Sequence, residues 1–462
     1  MHLVMIGGSD AGISAALRAR ELDPAADVSV IVSDAYPNFS ICGIPYYVSG
    51  EVTHWHNLAH RTTGELEATG MVLRLDTTVR RIDPADRKLL ATGPDGEVLI
   101  SYDQLVIGTG AVPVRPPIAG LAGPDALGAE DGVHLLHSMA DTFALMQTLE
   151  HEAPTAAVIV GAGYIGLEMA EALTARGLLV TQMEQLPEVL PTVDPSLGAL
   201  VHAQLSAHGV DVLTSTTVRQ IRRARSGQAG RLRIDATSAG GRPVTRLADV
   251  VLVVVGVRPD TTLASDAGAA LGARSAIAVN RGMRTSLPGV LAAGDCVTTY
   301  HRLLGDTYLP LGTTAHKQGR VAGENALGGN REFAGSLGTQ VVKIFDQAAA
   351  RTGLRDHEAT AAGFDPLTVE SHADDHKAYY PGSHRITMRI TGDRSSGRLL
   401  GLQLLGHRDA EIAKRIDIAA TAIFHGMTID AVSDLDLSYT PPLGSPWDAV
   451  QMGAQAWIRQ AR

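Results

Sequence analysis

The sequence predicts an α/β protein, with two doubly wound parallel-sheet units followed by an α+β domain. Three observations predict it. An apolar strand, a glycine-rich turn and an alanine- and leucine-rich helix follow one another at the start of the chain. The same order recurs from Ala156, and from about Phe333 alternating strands take over with no further glycine-rich turn. A strand running through glycines into a helix turns backbone N–H groups and the positive helix end towards a phosphate. Each of the first two units therefore reads as a Rossmann-like dinucleotide-binding domain.

In order, the first unit is strand His2 to Ile6, turn Gly7 to Gly12, helix Ile13 to Leu22 and strand Val28 to Val32. Leu105 to Ile107 is a further strand, closed by Gly108-Thr109-Gly110, and the proline-rich exit Ala111 to Ile118 suits a domain crossing. The second unit is strand Ala156 to Val160, turn Gly161 to Gly166, helix Leu167 to Arg176 and strand Leu178 to Met183. Val250 to Val255 is a buried strand, and Gly256-Val257-Arg258-Pro259 turns the chain back. Ser238 to Gly241 reads as a hairpin turn. The last part shows strands Gln340 to Phe345, His384 to Ile390 and Leu399 to Leu405, with two helices after Asp409. The expected domains are thus 1–150 with 260–330 for one nucleotide, 151–259 for the other, and 331–462 for the α+β part.

With 462 residues the chain can bury several cores, and 49 glycines against 4% aromatics suit sheets with many tight turns around phosphates. A net charge of -10 gives no reason to approach nucleic acid or anionic lipid, so a small-molecule substrate is expected. The N-terminus MHLVMIGG lacks a basic region and enters a strand, and the longest apolar run, Val250 to Val257, is far short of a membrane span. The two cysteines, Cys42 and Cys296, form no disulfide framework and no metal-ligand spacing, so no metal is expected. A reducing, cytoplasmic setting follows.

Gly161-Ala162-Gly163-Tyr164-Ile165-Gly166 is a complete G-x-G-x-x-G, and Glu184 closes the next strand. A carboxylate there accepts hydrogen bonds from ribose hydroxyls and repels a 2'-phosphate, and no Arg or Lys lies between Gln182 and Leu190. NADH is favoured over NADPH. The first turn, Gly7-Gly8-Ser9-Asp10-Ala11-Gly12, is less regular. Ser9 takes the place of the second glycine, Val32 stands where the strand-end acid belongs, and Asp34 is the nearest carboxylate. Thr285 to Asp295 reads as a strand ending in Gly294-Asp295, and such an Asp can accept hydrogen bonds from a flavin's ribityl chain.

With these motifs in this order, the chain resembles the pyridine nucleotide-disulfide oxidoreductases along essentially its whole length. The resemblance implies FAD on the first unit, with Gly7, Gly8, Gly12, Asp34, Val79, Thr109, Gly110, Asp295 and Leu311 at the flavin nucleotide. It implies NAD on Gly161, Gly163 and Gly166, with Tyr164 gating the nicotinamide and Glu168 beside it, although Glu168 also fits a plain first-turn helix acid. It further implies a homodimer whose last domain forms the interface and lends residues to the partner's active site.

Asn38-Phe39-Ser40-Ile41-Cys42-Gly43-Ile44-Pro45-Tyr46-Tyr47 is similar to the single-cysteine branch, which holds CoA-disulfide reductases, NADH oxidases, NADH peroxidases and persulfide reductases. Tyr47 stands where the glutathione-reductase-like members carry a second cysteine, and their C-terminal His-Pro pair is missing. The flavin can reduce a mixed disulfide or sulfenic acid on a lone Cys42, so the substrate's own sulfur, or an oxygen, replaces the second thiol. A helix opened by Cys42 would favour its thiolate.

Tyr379-Tyr380-Pro381-Gly382 and Tyr439-Thr440-Pro441-Pro442 resemble the tyrosine segments of the CoA-disulfide reductases, which makes Tyr379, Tyr380 and Tyr439 candidates beside Cys42. Ser14, Arg18, Arg20, Ser40 and Arg61 are the candidate substrate-binding residues. Three departures count against CoA itself: Glu21 for an arginine, Ile41 for an asparagine and Trp447 for a lysine. Asp10 stands where NADH peroxidases and oxidases place a histidine, which weakens peroxide chemistry. The expected reaction carries electrons from NAD(P)H through FAD and Cys42 to a disulfide or persulfide. The alternatives are an NADH oxidase or peroxidase working through a sulfenate, and a low-turnover flavin-bound redox sensor or interaction protein.

Overall fold

The fold, taken from a computed structural model, is described for residues 1–461. Its first sheet is parallel throughout, in the order Val290–Ala292, Gln104–Ile107, His2–Ile6, Asp27–Ile31, Val72–Arg74. The central strands are buried on both faces, as a parallel sheet covered by helices requires. Helix Asp10–Leu22 follows the first strand, and helix Gly312–Ala326 lies against it. Gly319 and Gly323 allow that approach, since a Cβ on either would sit 2.3 or 2.2 Å from the carbonyl oxygen of Ala11 or Ala15.

The second sheet, also parallel, runs Asp211–Leu213, Leu179–Met183, Ala156–Val160, Val250–Val253, Val133–His134. Its last strand comes from before residue 151, earlier than the sequence reading started this unit. The two chain crossings pair with each other: Ala111–Pro113 runs antiparallel to Val257–Pro259. Thr109 Oγ1 then donates to the carbonyl of Asp260 at 2.6 Å, fastening the outgoing and returning strands. The hairpin at Ser238 to Gly241 joins antiparallel strands Leu232–Ser238 and Pro243–Ala248, as expected.

The C-terminal sheet is antiparallel, in the order Gln340–Ile344, Gln347–Gly353, Leu399–His407, Arg385–Asp393, Pro366–Asp374. Two of its five strands were absent from the sequence reading. Gln347–Gly353 contains three consecutive alanines, a helical signal overridden by pairing on both edges. Pro366–Asp374 opens on a proline, which an edge strand tolerates. Three helices, not two, follow Asp409: Ile412–Phe424, Ile429–Ser433 and Ala449–Ala461. Thr285 to Asp295 is also shorter as a strand than its pattern suggests. Only Val290–Ala292 pairs, because the Thr285 hydroxyl folds the preceding residues into a turn by accepting from the Leu287 N–H at 3.1 Å.

One core places the cysteine segment. Ile44 and Val48, on the short helix Ile44–Ser49 after Cys42, share a buried cluster with Met169 and Leu173 of the second unit and Ile344 of the last domain. Emptying such a position costs about 2–5 kcal/mol. Cys42 is thereby held where all three parts of the chain meet.

Candidate active site

The glycines of both nucleotide turns are required by space as well as by conformation. Gly7 has φ +109°, and a Cβ there would lie 2.1 Å from the Gly108 oxygen. Gly8 abuts the Val32 side chain, and Gly12 faces the Gly7 carbonyl, 2.0 Å from where a Cβ would sit. In the second turn Gly161 and Gly166 are closed in the same way, by Val254 and by the Gly161 carbonyl, whereas Gly163 faces open space. Open space at the middle glycine, at a helix N-terminus, is what a pyrophosphate needs.

Glu184 is buried and accepts the N–H groups of Ala162 at 2.7 Å and Leu186 at 2.8 Å, one on each carboxylate oxygen. Each oxygen keeps a second lone pair for a ribose hydroxyl. In the first unit Asp34 accepts the Tyr36 N–H at 2.9 Å, and burial raises its pKa. Val79 is buried in strand Thr78–Asp83, and Gly110 has φ +70° with nothing against it. Burial, and then the charge of Asp10, push Asp295 up to about 7. The Leu311 backbone acts against them on the Asp295 carboxyl and lowers its pKa, which brings together two residues expected at the flavin. These donors, acceptors and glycine gaps fit FAD on the first unit and a nicotinamide nucleotide on the second.

Cys42 lies in the 3-10 turn Ile41–Gly43 and is exposed. Neither Cys42 nor Cys296 is in a disulfide, and Cys296 is buried, its thiol facing the carbonyls of Ala293 and Ile107. The helix after Cys42 does not lower its pKa. The pocket walls desolvate the thiolate, and the carboxylates of Glu168, Asp10 and Asp295 then raise the thiol further. A helix of one and a half turns is too short a dipole to offset three acids.

Glu168 is no plain surface acid. It receives the Tyr46 hydroxyl at 3.3 Å, and burial pushes it up to about 7. Tyr164 stands in the same field: burial, then the charges of Cys42, Asp295 and Glu168, raise its hydroxyl to about 12. Tyr308 donates to the Asp295 carbonyl at 3.0 Å. Residues from the first turn, the cysteine segment, the second-unit helix and the Gly-Asp turn thus converge on one pocket.

Asp10 is accompanied by two imidazoles that the sequence reading did not single out. His316 Nε2 lies 3.4 Å from Asp10 Oδ1, and His316 Nδ1 lies 2.9 Å from Ser14 Oγ. The His60 ring stands edge-on to His316, 6.1 Å between centroids. Asp10 thus holds the position at which the peroxidases and oxidases carry a histidine, but imidazoles from elsewhere in the chain accompany it. The imidazoles arrive from a loop and from a helix about 300 residues away, with no local spacing to announce them.

The basic residues expected to hold substrate are largely engaged elsewhere. Arg18 pairs with Glu324 at 2.6 Å and Glu21 at 3.0 Å. Arg20 donates to the carbonyls of Thr69 at 2.7 Å and Ala26 at 2.6 Å, and it stacks into the space that Gly70 leaves. Both guanidinium groups are satisfied within the chain, and Arg61 remains exposed. The Ser40 carbonyl accepts the Gly43 N–H at 3.0 Å, closing the cysteine turn.

Tyr379, Tyr380 and Tyr439 are exposed by 73%, 43% and 44%. Desolvation, and then Tyr379, raise the pKa of Tyr439, and the Lys377 N–H reaches the Pro441 carbonyl at 3.4 Å, so their two segments stand side by side. Beneath them Asp375 accepts the backbone N–H groups of His376 at 2.8 Å and His384 at 2.9 Å, pinching the base of the Tyr379–Tyr380 loop. Buried Arg415 donates to the Asp375 carbonyl at 2.7 Å, to the Ala410 carbonyl and to Asp448 at 3.0 Å.

Comparison with known proteins agrees with this geometry. A family model described as pyridine nucleotide-disulphide oxidoreductase matches residues 1–319, and the dimerisation domain of the same family matches residues 339–449. An NADH oxidase of Methanocaldococcus jannaschii is 31% identical over 464 residues, covering 100% of this chain and 99% of the relative. An NAD(P)H sulfur oxidoreductase (CoA-dependent) of Pyrococcus furiosus is 34% identical over 448 residues, 96% of each chain. The solved structure of an NAD-dependent persulfide reductase from A. fulgidus superimposes with a TM-score of 0.91 at 36% identity, covering 100% of this chain and 83% of that one.

Proposed function

Because the chain belongs to the pyridine nucleotide-disulphide oxidoreductase family, whose members are FAD-dependent NAD(P)H oxidoreductases, we propose that it reduces a small disulfide or persulfide through Cys42. The observation that carries this reading is the setting of Cys42: a free, exposed thiol acted on by Asp10 of the first nucleotide turn and by Glu168 of the second unit's helix, with Cys296 buried. With no second cysteine to close a protein disulfide, the partner sulfur has to come from substrate.

Bound FAD supplies a two-electron relay between nicotinamide and sulfur. The chain's own residues do the rest. The two glycine turns seat the pyrophosphates, and Glu184 takes the ribose hydroxyls of NADH in preference to NADPH. Tyr164 and Glu168, at the start of the second unit's helix, would line the nicotinamide site. Cys42, once deprotonated against the upward shift that its surroundings impose, attacks one sulfur of the acceptor, forming a mixed disulfide and releasing the other sulfur as a thiolate. The two electrons that bound FAD would supply, with one proton, then cleave that mixed disulfide into the Cys42 thiolate and a second free thiol. A hydroxyl of Tyr379, Tyr380 or Tyr439 protonates that leaving thiolate. These tyrosines are exposed with their segments joined, which suits delivery from the second subunit of a homodimer assembled through the C-terminal domain.

A second reading has an observation of its own. His60 and His316 beside Asp10 give the pocket imidazoles that could serve a cysteine sulfenate, so oxygen or peroxide as acceptor is kept as the alternative. One experiment separates the two. NADH consumption is followed anaerobically with CoA disulfide or a persulfide, and then under air without them. Rapid anaerobic turnover that disappears in Cys42→Ser is expected, and turnover with oxygen alone defeats the disulfide reading.

A further inference from the structure

Asp10, His60 and His316 reach one point from three separate places: the first turn of helix Asp10–Leu22, the loop after the 3-10 turn Trp55–Leu58, and helix Gly312–Ala326. One carboxylate oxygen and two imidazole nitrogens lie within 4.8 Å of one another. The Asp10 Oδ1 to His316 Nε2 distance is 3.4 Å. Two ligands at about 2.1 Å from a shared ion, set at a tetrahedral angle, stand about 3.4 Å apart. This pair therefore already has the spacing of neighbouring ligands. His60 is exposed and closes the set with a shift of about 1.5 Å or less, within the reach of a side-chain rotation.

The surroundings fit as well. His316 Nδ1 is held by Ser14 Oγ at 2.9 Å, the outer hydrogen bond that fixes a ligating imidazole and leaves its other nitrogen free. Around Cys42 itself the charge is negative, with Lys343 reaching only the Glu168 side of the pocket. Asp10, Glu168 and Asp295 all act on Cys42, and no lysine or arginine is among the groups that do. Two imidazoles and one carboxylate select a borderline transition metal over magnesium or calcium, which prefer all-oxygen sites.

We infer that Asp10, His60 and His316 form a binding site for a divalent metal ion of the zinc class, with at least one coordination position left to water. Asp10 belongs to the first nucleotide turn whereas His60 and His316 do not, and the site stands whether the acceptor is a disulfide or oxygen.

The test uses the flavin-loaded protein, stripped of metal with a chelator and titrated with Zn2+ by calorimetry, and with Co2+ by equilibrium dialysis. One ion per chain is expected. Asp10→Asn and His316→Ala should each weaken binding at least tenfold, while Cys42→Ser binds as the wild type does. His60→Ala, at an exposed position, gives a variant whose folding is not in question, and it too should weaken binding. Flavin content and circular dichroism verify the folds. No binding by the wild type, affinity unchanged in His316→Ala and His60→Ala, or binding lost in Cys42→Ser would each overturn the inference and leave Asp10 and His316 as a plain ion pair.

Discussion

Arg415 Nε stands 3.0 Å from Asp448 Oδ2, the arginine buried and the carboxylate partly exposed, and the same guanidinium group holds the Asp375 carbonyl at 2.7 Å. One buried cation thus ties the base of the loop carrying Tyr379 and Tyr380 to the helix entered after the Tyr439 segment. Because Asp375 also gathers the two ends of its loop, disturbance at Arg415 passes to both tyrosine segments.

Arg415→Lys keeps the charge and loses the fork that reaches three acceptors. We expect disulfide turnover to fall about tenfold, the loss of roughly one charge-assisted hydrogen bond's worth of positioning, with the rate of flavin reduction by NADH unchanged. Arg415→Ala removes the cation from a partly exposed Asp448 and leaves the buried Asp375 and Ala410 carbonyls without its donors, and should cost about 1–3 kcal/mol in denaturant unfolding. Stopped-flow reduction beside steady-state turnover separates positioning from general damage, because a loss shared by both half-reactions contradicts the assignment.

The buried acids predict a pH dependence. Glu168 is raised from 4.5 to about 7 and Asp295 from 3.8 to about 7, both first by burial. A carboxyl that holds its proton more tightly folded than unfolded contributes stability that is complete below its unfolded pKa. That contribution is lost as pH rises through the folded value. Unfolding free energy should therefore fall between about pH 4 and pH 7, with a slope of at most about 1.4 kcal/mol per unit for each group. Glu168→Gln should flatten its share of that slope. A mutant curve parallel to the wild type across this window would show that Glu168 is ionised in the folded protein.

Much of this was legible because the informative signals are local. Strands His2–Ile6 and Ala156–Val160, their glycine turns, Cys42, Glu184 and Asp295 all announce themselves within a few residues. What the sequence concealed depends on distant partners. Three alanines become strand Gln347–Gly353 only because strands on both sides pair with them. His60 and His316 acquire meaning only when the fold sets them beside Asp10, and Arg415 only when two loops close over it. The engagement of Arg18 by Glu324 and of Arg20 by the Thr69 carbonyl was hidden for the same reason, since these partners are not neighbours in the sequence.

The two glycine turns should fail separately. A Cβ on Gly166 would lie 2.3 Å from the Gly161 carbonyl, in the wall of the second turn. Gly166→Val is expected to retain flavin and to lose reduction by NADH, while dithionite still reduces the flavin. A Cβ on Gly12 would lie 2.0 Å from the Gly7 carbonyl in the first turn, so Gly12→Val should be isolated with little or no flavin. Flavin absorbance per chain measures both. Equal flavin loss in the two variants would contradict the division of nucleotides between the domains.

Glu184 tests the nucleotide preference most directly, because it has two tasks that separate by substitution. Its oxygens hold the N–H groups of Ala162 and Leu186, shaping the turn, and their remaining lone pairs are those proposed to accept the ribose hydroxyls. Glu184→Gln keeps one acceptor oxygen and removes the charge, so it should raise the KM for NADH by about tenfold, the scale of a weakened hydrogen bond to a charged group. Removing the repulsion should also narrow the gap between NADH and NADPH. It should not reverse it, since no basic side chain lies between Gln182 and Leu190 to receive the 2'-phosphate. Glu184→Gln with Pro187→Arg supplies that cation and is the variant expected to accept NADPH. Wild-type turnover that is already equal with the two nucleotides would remove Glu184 from the selection altogether.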